Sequence, residues 1–474
     1  MGCNKLGALD NTGAPGDAFR PRPTGFVAAA LAAAMLLGGS GSLVPLPEIA
    51  LECLLAGLTA AWVWMRPDGL RNVPRGAWII AALLLALPIC QLLPMPPALW
   101  QSLPGRSVEK AALDLVGQGS SWRPLTLTAN RTSASLLAMT AAAAVLIMVA
   151  AQDCRGRTIL LATVAGMALL SVVVGAAQLS GGAGNPFRFY NPAEAFLDGF
   201  QTNHNAEADV LLMGMVALAA AASDFAARPR PRATEPRQPL GQLLGMIGGA
   251  TLLLTLGVVL TASRTGIALL PIAIGAQALI LRRWWRLDMR RMAIATGVAG
   301  LVLGSAALAS GPHGALARVW DRFHTATEFR PQIWHDAMYV LRQYWPWGAG
   351  MGSFIPVFAA AERLGVVTSK FVNRAHDDYL EFLIEAGVPG VAALGLICRQ
   401  IARDACRGWR TGVAGSEAQL ICGAANLIIL AVHSLGDYPL RTVSIACMAA
   451  VSAGLLLPIA GRGASGIGKI GNEI

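Results

Sequence analysis

The sequence predicts an all-α polytopic membrane protein of about 12 transmembrane helices, with one large outer loop that contains short helices. Three observations predict it. Hydrophobic residues make up 55% of the 474, about 260 of them, and charged residues only 14%, against roughly 25% in soluble domains. Mean hydropathy is +0.54, and so small a polar complement does not cover a water-soluble globule of this size. Apolar runs recur along the whole chain; each bilayer crossing takes ~20 apolar residues, so the total suffices for roughly a dozen helices. This composition excludes a disordered chain, a secreted disulfide scaffold and a DNA-binding protein, so no nucleic-acid partner is expected.

Residues 1–25 are polar and turn-rich, without the charged, apolar and cleavage regions of a signal peptide, and read as a flexible cytoplasmic tail. Nine spans are expected within 26–310, at 26–44, 46–65, 77–93, 134–151, 158–180, 206–226, 240–262, 265–281 and 292–310. Residues 94–133 form a Pro- and Trp-rich loop. Residues 311–378 form a larger one, and three further spans follow within 379–460, at 379–398, 416–435 and 441–460. Residues 461–474 make a second tail.

An even number of spans puts both termini on one side, and arginine says which. With the N-terminus inside, the inner loops carry Arg66, Arg71 and Arg75; Arg155 and Arg157; Arg228, Arg230, Arg232 and Arg237; Arg282 to Arg291; and Arg399, Arg403, Arg407 and Arg410. The short outer loops hold only Arg188, Arg264 and Arg441. That asymmetry is the positive-inside pattern, so both termini are expected in the cytoplasm. The net charge of +10 therefore reports topology.

Within the larger loop, Phe329, Ile333, Ala337 and Leu341 recur every four residues, as on one helix face lying along the membrane surface. Trp345-Pro346-Trp347-Gly348-Ala349-Gly350 then breaks that helix. No cysteine falls in an outer loop, so neither a disulfide framework nor a cysteine metal site is expected.

The scarce polar groups are distributed unevenly. All six histidines (His204, His313, His324, His335, His376, His433) fall on the outer face or at outer span ends. Glu48, Glu52, Glu207, Asp209, Glu381 and Glu385 lie in outer halves of spans, with Asp224 the exception. Ionisable groups in a membrane are costly and face a cavity or a partner, so a polar cavity open to the outer face is expected. For any single residue, snorkelling to water is the plainer account; it explains the clustering of the histidines less well.

Three residues stand out. Arg264 occupies Leu260-Thr261-Ala262-Ser263-Arg264-Thr265-Gly266, a turn without spacer between two apolar runs. There a guanidinium either reaches the interface or binds an anion, and its planar fork suits phosphate. Arg330 precedes Pro331 at a helix start, beside an N-terminus that attracts anions; a solvated surface arginine is the equal alternative. His376 stands in Asn373-Arg374-Ala375-His376-Asp377-Asp378-Tyr379-Leu380-Glu381, where Asp377 or Asp378 caps the next span. The helix dipole there favours the neutral imidazole a general base needs, whereas the adjacent carboxylates favour the cation. One histidine beside two consecutive acids is not a recognised metal-ligand spacing.

Taken in order, five segments resemble the O-antigen ligase / O-antigen polymerase family of bacterial inner-membrane glycosyltransferases. They are Gly199–Ala206, Ala262–Gly266, Arg330–Gly352, Ala375–Gly390 and His433–Arg441, together spanning roughly residues 195–445. The resemblance implies a twelve-span inverting transferase that needs neither metal nor cofactor, with its site at the periplasmic face. The donor it implies is a glycan on a polyprenyl diphosphate such as undecaprenyl diphosphate. The acceptor is a hydroxyl of a lipid A-core sugar or of a polysaccharide, met among membrane lipid. It also implies that Arg264 and Arg330 bind the diphosphate and that His376 is catalytic, supported by Asp377, Glu381, Arg441 and His204. The sequence departs from many relatives in having Asp377 after the histidine and His204 in place of arginine. A transporter or flippase for lipid-linked glycans is the competing class; inverted repeats and mid-membrane charges would mark it, and here the charges gather on one side.

Overall fold

The computed structural model describes residues 23–40, 45–66, 69–180, 185–190, 196–228, 240–282, 315–325, 329–367, 371–412 and 415–459. The protein is all-α and polytopic. Helices α1 (Pro23–Leu37), α2 (Pro45–Met65) and α3 (Arg75–Leu92) come first. The 94–133 segment is more structured than a loop: β1 (Pro94–Met95) pairs antiparallel with β2 (Arg123–Pro124), enclosing the short helices α4 (Pro97–Trp100) and α5 (Ser107–Leu115). Then follow α6 (Ala129–Ala150), α7 (Cys154–Ser180), α8 (His204–Ala226), α9 (Leu240–Leu260) and α10 (Arg264–Leu281). Three helices lie in the next segment: α11 (Ala315–Thr325), α12 (Arg330–Tyr344) and α13 (Phe354–Ala359). The chain closes with α14 (Asp378–Thr411), α15 (Glu417–His433) and α16 (Val443–Leu456).

Among the described residues, eight helices are long and apolar enough to cross a membrane (α2, α3, α6 to α10 and α14), and α1, α15 and α16 are shorter apolar helices. Eleven expected spans thus coincide with helices. The twelfth, 292–310, lies outside the described residues, as do His313, residues 1–22 of the first tail and the whole of the second; residues 23–25, expected in the first tail, open α1.

Helix α8 is the hub. It packs against α7, α9, α10 and α15 and is buried along almost its whole length, through Val210, Leu211, Leu212, Met215, Val216 and Ala217. Small residues set the spacing: a methyl built on Gly214 would stand 2.3 Å from the Ala168 methyl of α7. In lipid, where apolar burial drives little helix association, such close backbone approach supplies the packing energy.

A second, smaller core joins Ala337, Val340 and Tyr344 of α12 to Phe354 and Phe358 of α13 and to Leu380 and Ile384 of α14. The buried stripe of α12 is therefore 337, 340 and 344, with Ile333 and Leu341 at its edge and Phe329 exposed. A four-residue spacing drifts off a face that turns every 3.6 residues, which is why the sequence pattern misplaced it. The helix lies against α14.

Helix α14 runs well past the expected end at 398. Its second half holds Arg399, Arg403, Arg407 and Arg410, and nothing breaks it before Gly412. Its first half is broken instead, at Gly387 (φ 55°, ψ −152°). The Trp345–Gly352 turn docks into that break: Val388 N donates to Pro346 O (2.8 Å), Ala349 N to Ile384 O (2.9 Å) and Gly350 N to Glu385 O (2.9 Å). Gln91 of α3 donates to the same Glu385 carbonyl (3.0 Å) and accepts from Met351 N (2.9 Å). Irregular backbone at membrane depth is tolerated where protein satisfies its polar groups. A methyl on Gly387 would stand 2.2 Å from Pro346 O, so only glycine fits.

The opposite end of the bundle holds two surprises. Arg157, expected in a basic inner loop, is fully buried and donates to the carbonyls of Leu455 (3.3 Å), Leu457 (2.9 Å) and Pro458 (3.2 Å), closing the end of α16. A guanidinium supplies there the donors that a helix C-terminus lacks. Asp224, the acid that fell on the wrong side, accepts from Gln419 (2.7 Å) and Thr158 (3.1 Å). Of the described cysteines, Cys53, Cys90, Cys398, Cys406, Cys422 and Cys447 are free, whereas Cys154 is in a disulfide, against the expectation of none.

Candidate active site

Four helix N-termini meet around the turn from Ser434 to Arg441. The α14 end is bonded to it directly: Asp378 N donates to Ser434 O (3.0 Å) and Asp437 O (3.1 Å). At the α8 end, Asn203 lines one small cavity together with Asp437 and Tyr438 of the turn. At the α10 end, a methyl built on Gly436 would reach Thr265 Oγ1 at 3.8 Å. From the α12 end, the Arg330 charge acts on Asp437. Each N-terminus brings the positive end of its dipole, so the place suits an anion.

The backbone at the expected catalytic residue is unusual. Among the described residues only Ala262 (φ 54°) and His376 (φ 53°) are non-glycine residues in the left-handed region. One lies two residues before Arg264, the other is the histidine itself. Strain of this kind persists where the surroundings over-determine the backbone, and here they do. Ala375 N donates to Glu381 Oε2 (2.9 Å), Trp334 Nε1 donates to Ala375 O (3.0 Å), and Leu380 N donates to Asp377 Oδ1 (3.0 Å). Ser263 caps α10 by accepting from Gly266 N (3.1 Å), which fixes the start at Arg264.

His376 is partly exposed, and its Nδ1 lies 3.3 Å from Oδ1 of the buried Asp437. The Tyr438 ring meets its ring edge-on, 5.1 Å between centroids. Burial pushes the Asp437 carboxyl up, but the hydrogen bond from His376 and the charges of His433, His376 and Arg330 outweigh it and hold Asp437 below the usual carboxylate range. An ionised Asp437 accepts from Nδ1–H and leaves Nε2 as the basic atom. Burial and the Asp437 charge push the Tyr438 hydroxyl up, so it stays protonated.

Arg441 forms the second cluster. It reaches three acids spaced i, i+3 and i+7 on one face of α14: Asp378 (Nε to Oδ1, 3.1 Å), Glu381 (3.5 Å) and Glu385 (2.6 Å). Arg374 adds a second cation on Glu381 (2.9 Å). Asp378 accepts also from Ser434 Oγ (3.3 Å) and Leu440 N (3.2 Å), and Glu385 from Phe354 N (3.1 Å). The cluster welds α14 to the 434–441 turn and so fixes where His376 meets Asp437.

The structure brings His376, Arg330, Glu381 and Arg441 together around this turn, with Arg264 beside it at the start of α10. Asp377 is the helix cap, its carboxylate on Leu380 N, and turns away from Asp378, so the His-Asp-Asp run separates into three roles. His204, expected to support His376, begins α8 and bonds Arg322 of α11 (Nε2 to guanidinium, 2.9 Å), whose guanidinium lies 4.9 Å from the Phe196 ring centroid. Sequence reasoning missed Asp437, Glu385 as a partner of Arg441, and Arg322. The signal for Asp437 was present, a carboxylate in Leu435-Gly436-Asp437-Tyr438-Pro439 at an outer span end. Arg318 and Arg322, four apart on an amphipathic helix, were the signal for the third.

A family model described as O-antigen ligase matches residues 249–395, the stretch that carries Arg264, Arg330, His376, Glu381 and Glu385. The match bears out the resemblance drawn from the motifs. It supports an O-antigen ligase/polymerase-like multi-pass membrane enzyme, on a match that spans under a third of the chain. No curated protein matched the chain.

Proposed function

We propose that the protein transfers a glycan from a polyprenyl-diphosphate-linked donor to an acceptor hydroxyl at the periplasmic face of the membrane, with both termini in the cytoplasm. The observation that carries this reading is the convergence of four helix N-termini on the turn that also holds the His376–Asp437 pair. An anion site and a proton acceptor thus lie side by side. The arginine asymmetry of the sequence supports the orientation. No nucleotide sugar is supplied outside the cytoplasm, so a transferase there draws on an activated, lipid-linked donor.

The chemistry follows from the residues. Arg264 and Arg330 hold the diphosphate, and their forks suit paired phosphate oxygens. The acceptor oxygen attacks the anomeric carbon from the face opposite the diphosphate. The new C–O bond forms as the bond to the phosphate oxygen breaks, and that oxygen keeps the electron pair. The arginines and helix dipoles stabilise the charge that develops there. The hydroxyl proton passes to Nε2 of His376, while Asp437 holds Nδ1–H and stabilises the imidazolium. Glu381, Asp377 and Arg441 fix the backbone that presents His376, and His204 with Arg322 borders the site on the α8 side. One displacement inverts the anomeric centre.

The test is reconstitution of the purified full-length protein with a lipid-linked oligosaccharide and, separately, a lipid A-core or polysaccharide acceptor, without added metal. The expected outcome is new glycosidic product, abolished in His376→Ala with membrane insertion unchanged. Which acceptor is used separates ligase from polymerase. Near-normal product from His376→Ala would overturn the assignment, and movement of donor between vesicles without new bonds would favour a transporter.

A further inference from the structure

We propose that His433 and Asp209 form a second histidine–carboxylate pair behind the first, acting through Asp437 to position and tune His376. The inference rests on the transferase reading for the nature of the reaction; the pair itself rests on geometry. His433 Nδ1 lies 2.7 Å from Asp209 Oδ1, and both side chains are fully buried. The two come from the outer ends of α15 and α8, 224 residues apart. A buried pair of ionisable groups in a lipid-embedded bundle is costly and weak evidence for stability, so its place beside the site asks for a role.

That role is visible in what their other atoms face. His433 Nε2, Asp209 Oδ2 and Asp437 Oδ2 are buried and, among the described residues, have no hydrogen-bond partner. All three residues line one small cavity, together with Asn203, Tyr438 and Thr442. It has room for about one water molecule among several polar groups, the setting in which buried water bridges such atoms. A water in that cavity would link His433 Nε2–H to Asp437 Oδ2. The backbone holds the ends in register, since Gly436 N (3.0 Å) and Asp437 N (3.1 Å) both donate to His433 O.

The order is therefore His376, Asp437, His433, Asp209, alternating base and acid from surface to core. With the proton of the inner pair on His433, a cation stands behind Asp437 and weakens its hold on a proton at His376. The histidine is then available as a neutral base at lower pH. The other charged groups around the series are Arg330 on α12, Arg264 at the start of α10, Arg374, and the Arg441 cluster with Asp378, Glu381 and Glu385. Both substitutions leave these side chains in place.

The test uses the full chain in proteoliposomes with His433→Gln and Asp209→Asn. Two readouts are taken: the pH profile of transfer, and the pH profile of diethylpyrocarbonate labelling at His376, read by mass spectrometry without any substrate. The exposed His335 is the internal control. In both variants the acid limb of transfer and the labelling midpoint of His376 should move up by about one pH unit, so that transfer at the foot of the limb falls about ten-fold while the alkaline rate stays within a few-fold. A rate scaled equally at every pH, with the labelling profile unmoved in whichever variant remains monodisperse, would reduce the pair to packing and overturn the proposal. If no transfer is seen even in the wild type, the labelling profile still decides it, so failure of the functional reading and failure of this inference are told apart.

Discussion

Asp437 holds the two residues that flank Asp377: its Oδ1 lies 3.3 Å from His376 Nδ1, and its main-chain oxygen accepts the amide of Asp378 at 3.1 Å. A residue 61 positions along the chain thus fixes both the imidazole and the helix start that follows it. Side chain and backbone of one residue cannot shift independently, so the pair is set by the fold and not by rotamer choice alone.

Replacing Asp437 by Asn should separate those functions. The backbone contact remains, but the amide no longer favours the Nδ1–H tautomer or stabilises an imidazolium. Transfer at neutral pH is expected to fall by about 100-fold or more, with the unfolding temperature within a few degrees of wild type. Initial rates and thermal melts on the same preparation check this. A loss under three-fold would remove Asp437 from the mechanism.

Arg441 makes the opposite kind of prediction, on stability. Removing it leaves Asp378, Glu381 and Glu385 buried with one cation fewer, and breaking such an arrangement costs about 3–5 kcal/mol. Arg441→Ala should therefore unfold at markedly lower temperature, and Arg441→Lys, which keeps the charge but reaches fewer acids, should fall between. Equal melts for Arg441→Ala and wild type would contradict the clamp.

The sequence made some of this legible and hid the rest for a physical reason. Spans follow from local apolar runs, so α2, α3 and α6 to α10 could be read directly. The candidate residues His376, Arg264 and Arg330 sit at helix starts that local signals mark. What could not be read is pairing. Asp437 with His376, His433 with Asp209, and the Trp345–Gly352 turn with Gly387 join separate segments, and nothing within one segment names its partner. Arg157 was misplaced likewise, because the carbonyls it binds lie at the far end of α16.

Gly387 tests the turn-in-kink joint. Alanine there must accept a left-handed backbone and a contact of 2.2 Å with Pro346 O, against nothing within 4 Å of a methyl on Gly395 in the same helix. Gly387→Ala should cost about 2 kcal/mol or more, whereas Gly395→Ala should be neutral or slightly stabilising through helix propensity. Thermal unfolding of the two variants side by side decides it, and similar losses in both would dissolve the argument.

Asp336 gives a pH dependence with a definite sign. Burial raises its carboxyl, but hydrogen bonds from His335 and Arg363 and the Arg363 charge outweigh that and lower it; the Arg363 Nε contact is 2.5 Å. A group depressed in the folded state stabilises above its ordinary value, about 3.9, and loses that contribution as pH falls through the lower folded value. Asp336→Asn should therefore melt below wild type at pH 7, and the two curves should converge as pH drops below about 4. A gap that stays constant with pH would assign the effect to packing.

Arg264 and Arg330 are expected to share the diphosphate but not the histidine. Lysine at either keeps a charge and loses the fork, so kcat/KM for the lipid-linked donor should fall about 10- to 100-fold, with acceptor KM unchanged. Glutamine separates them. Arg330 is one of the charges that hold the Asp437 carboxyl down, so Arg330→Gln lets that carboxyl rise toward its ordinary range and grip a proton at His376 more tightly. The acid limb of the transfer profile then moves to higher pH. Arg264→Gln should scale the rate and leave the limb in place. Measured on both variants with one donor, a limb that shifts equally would mean the two arginines act on the same group, and the division between them would fail.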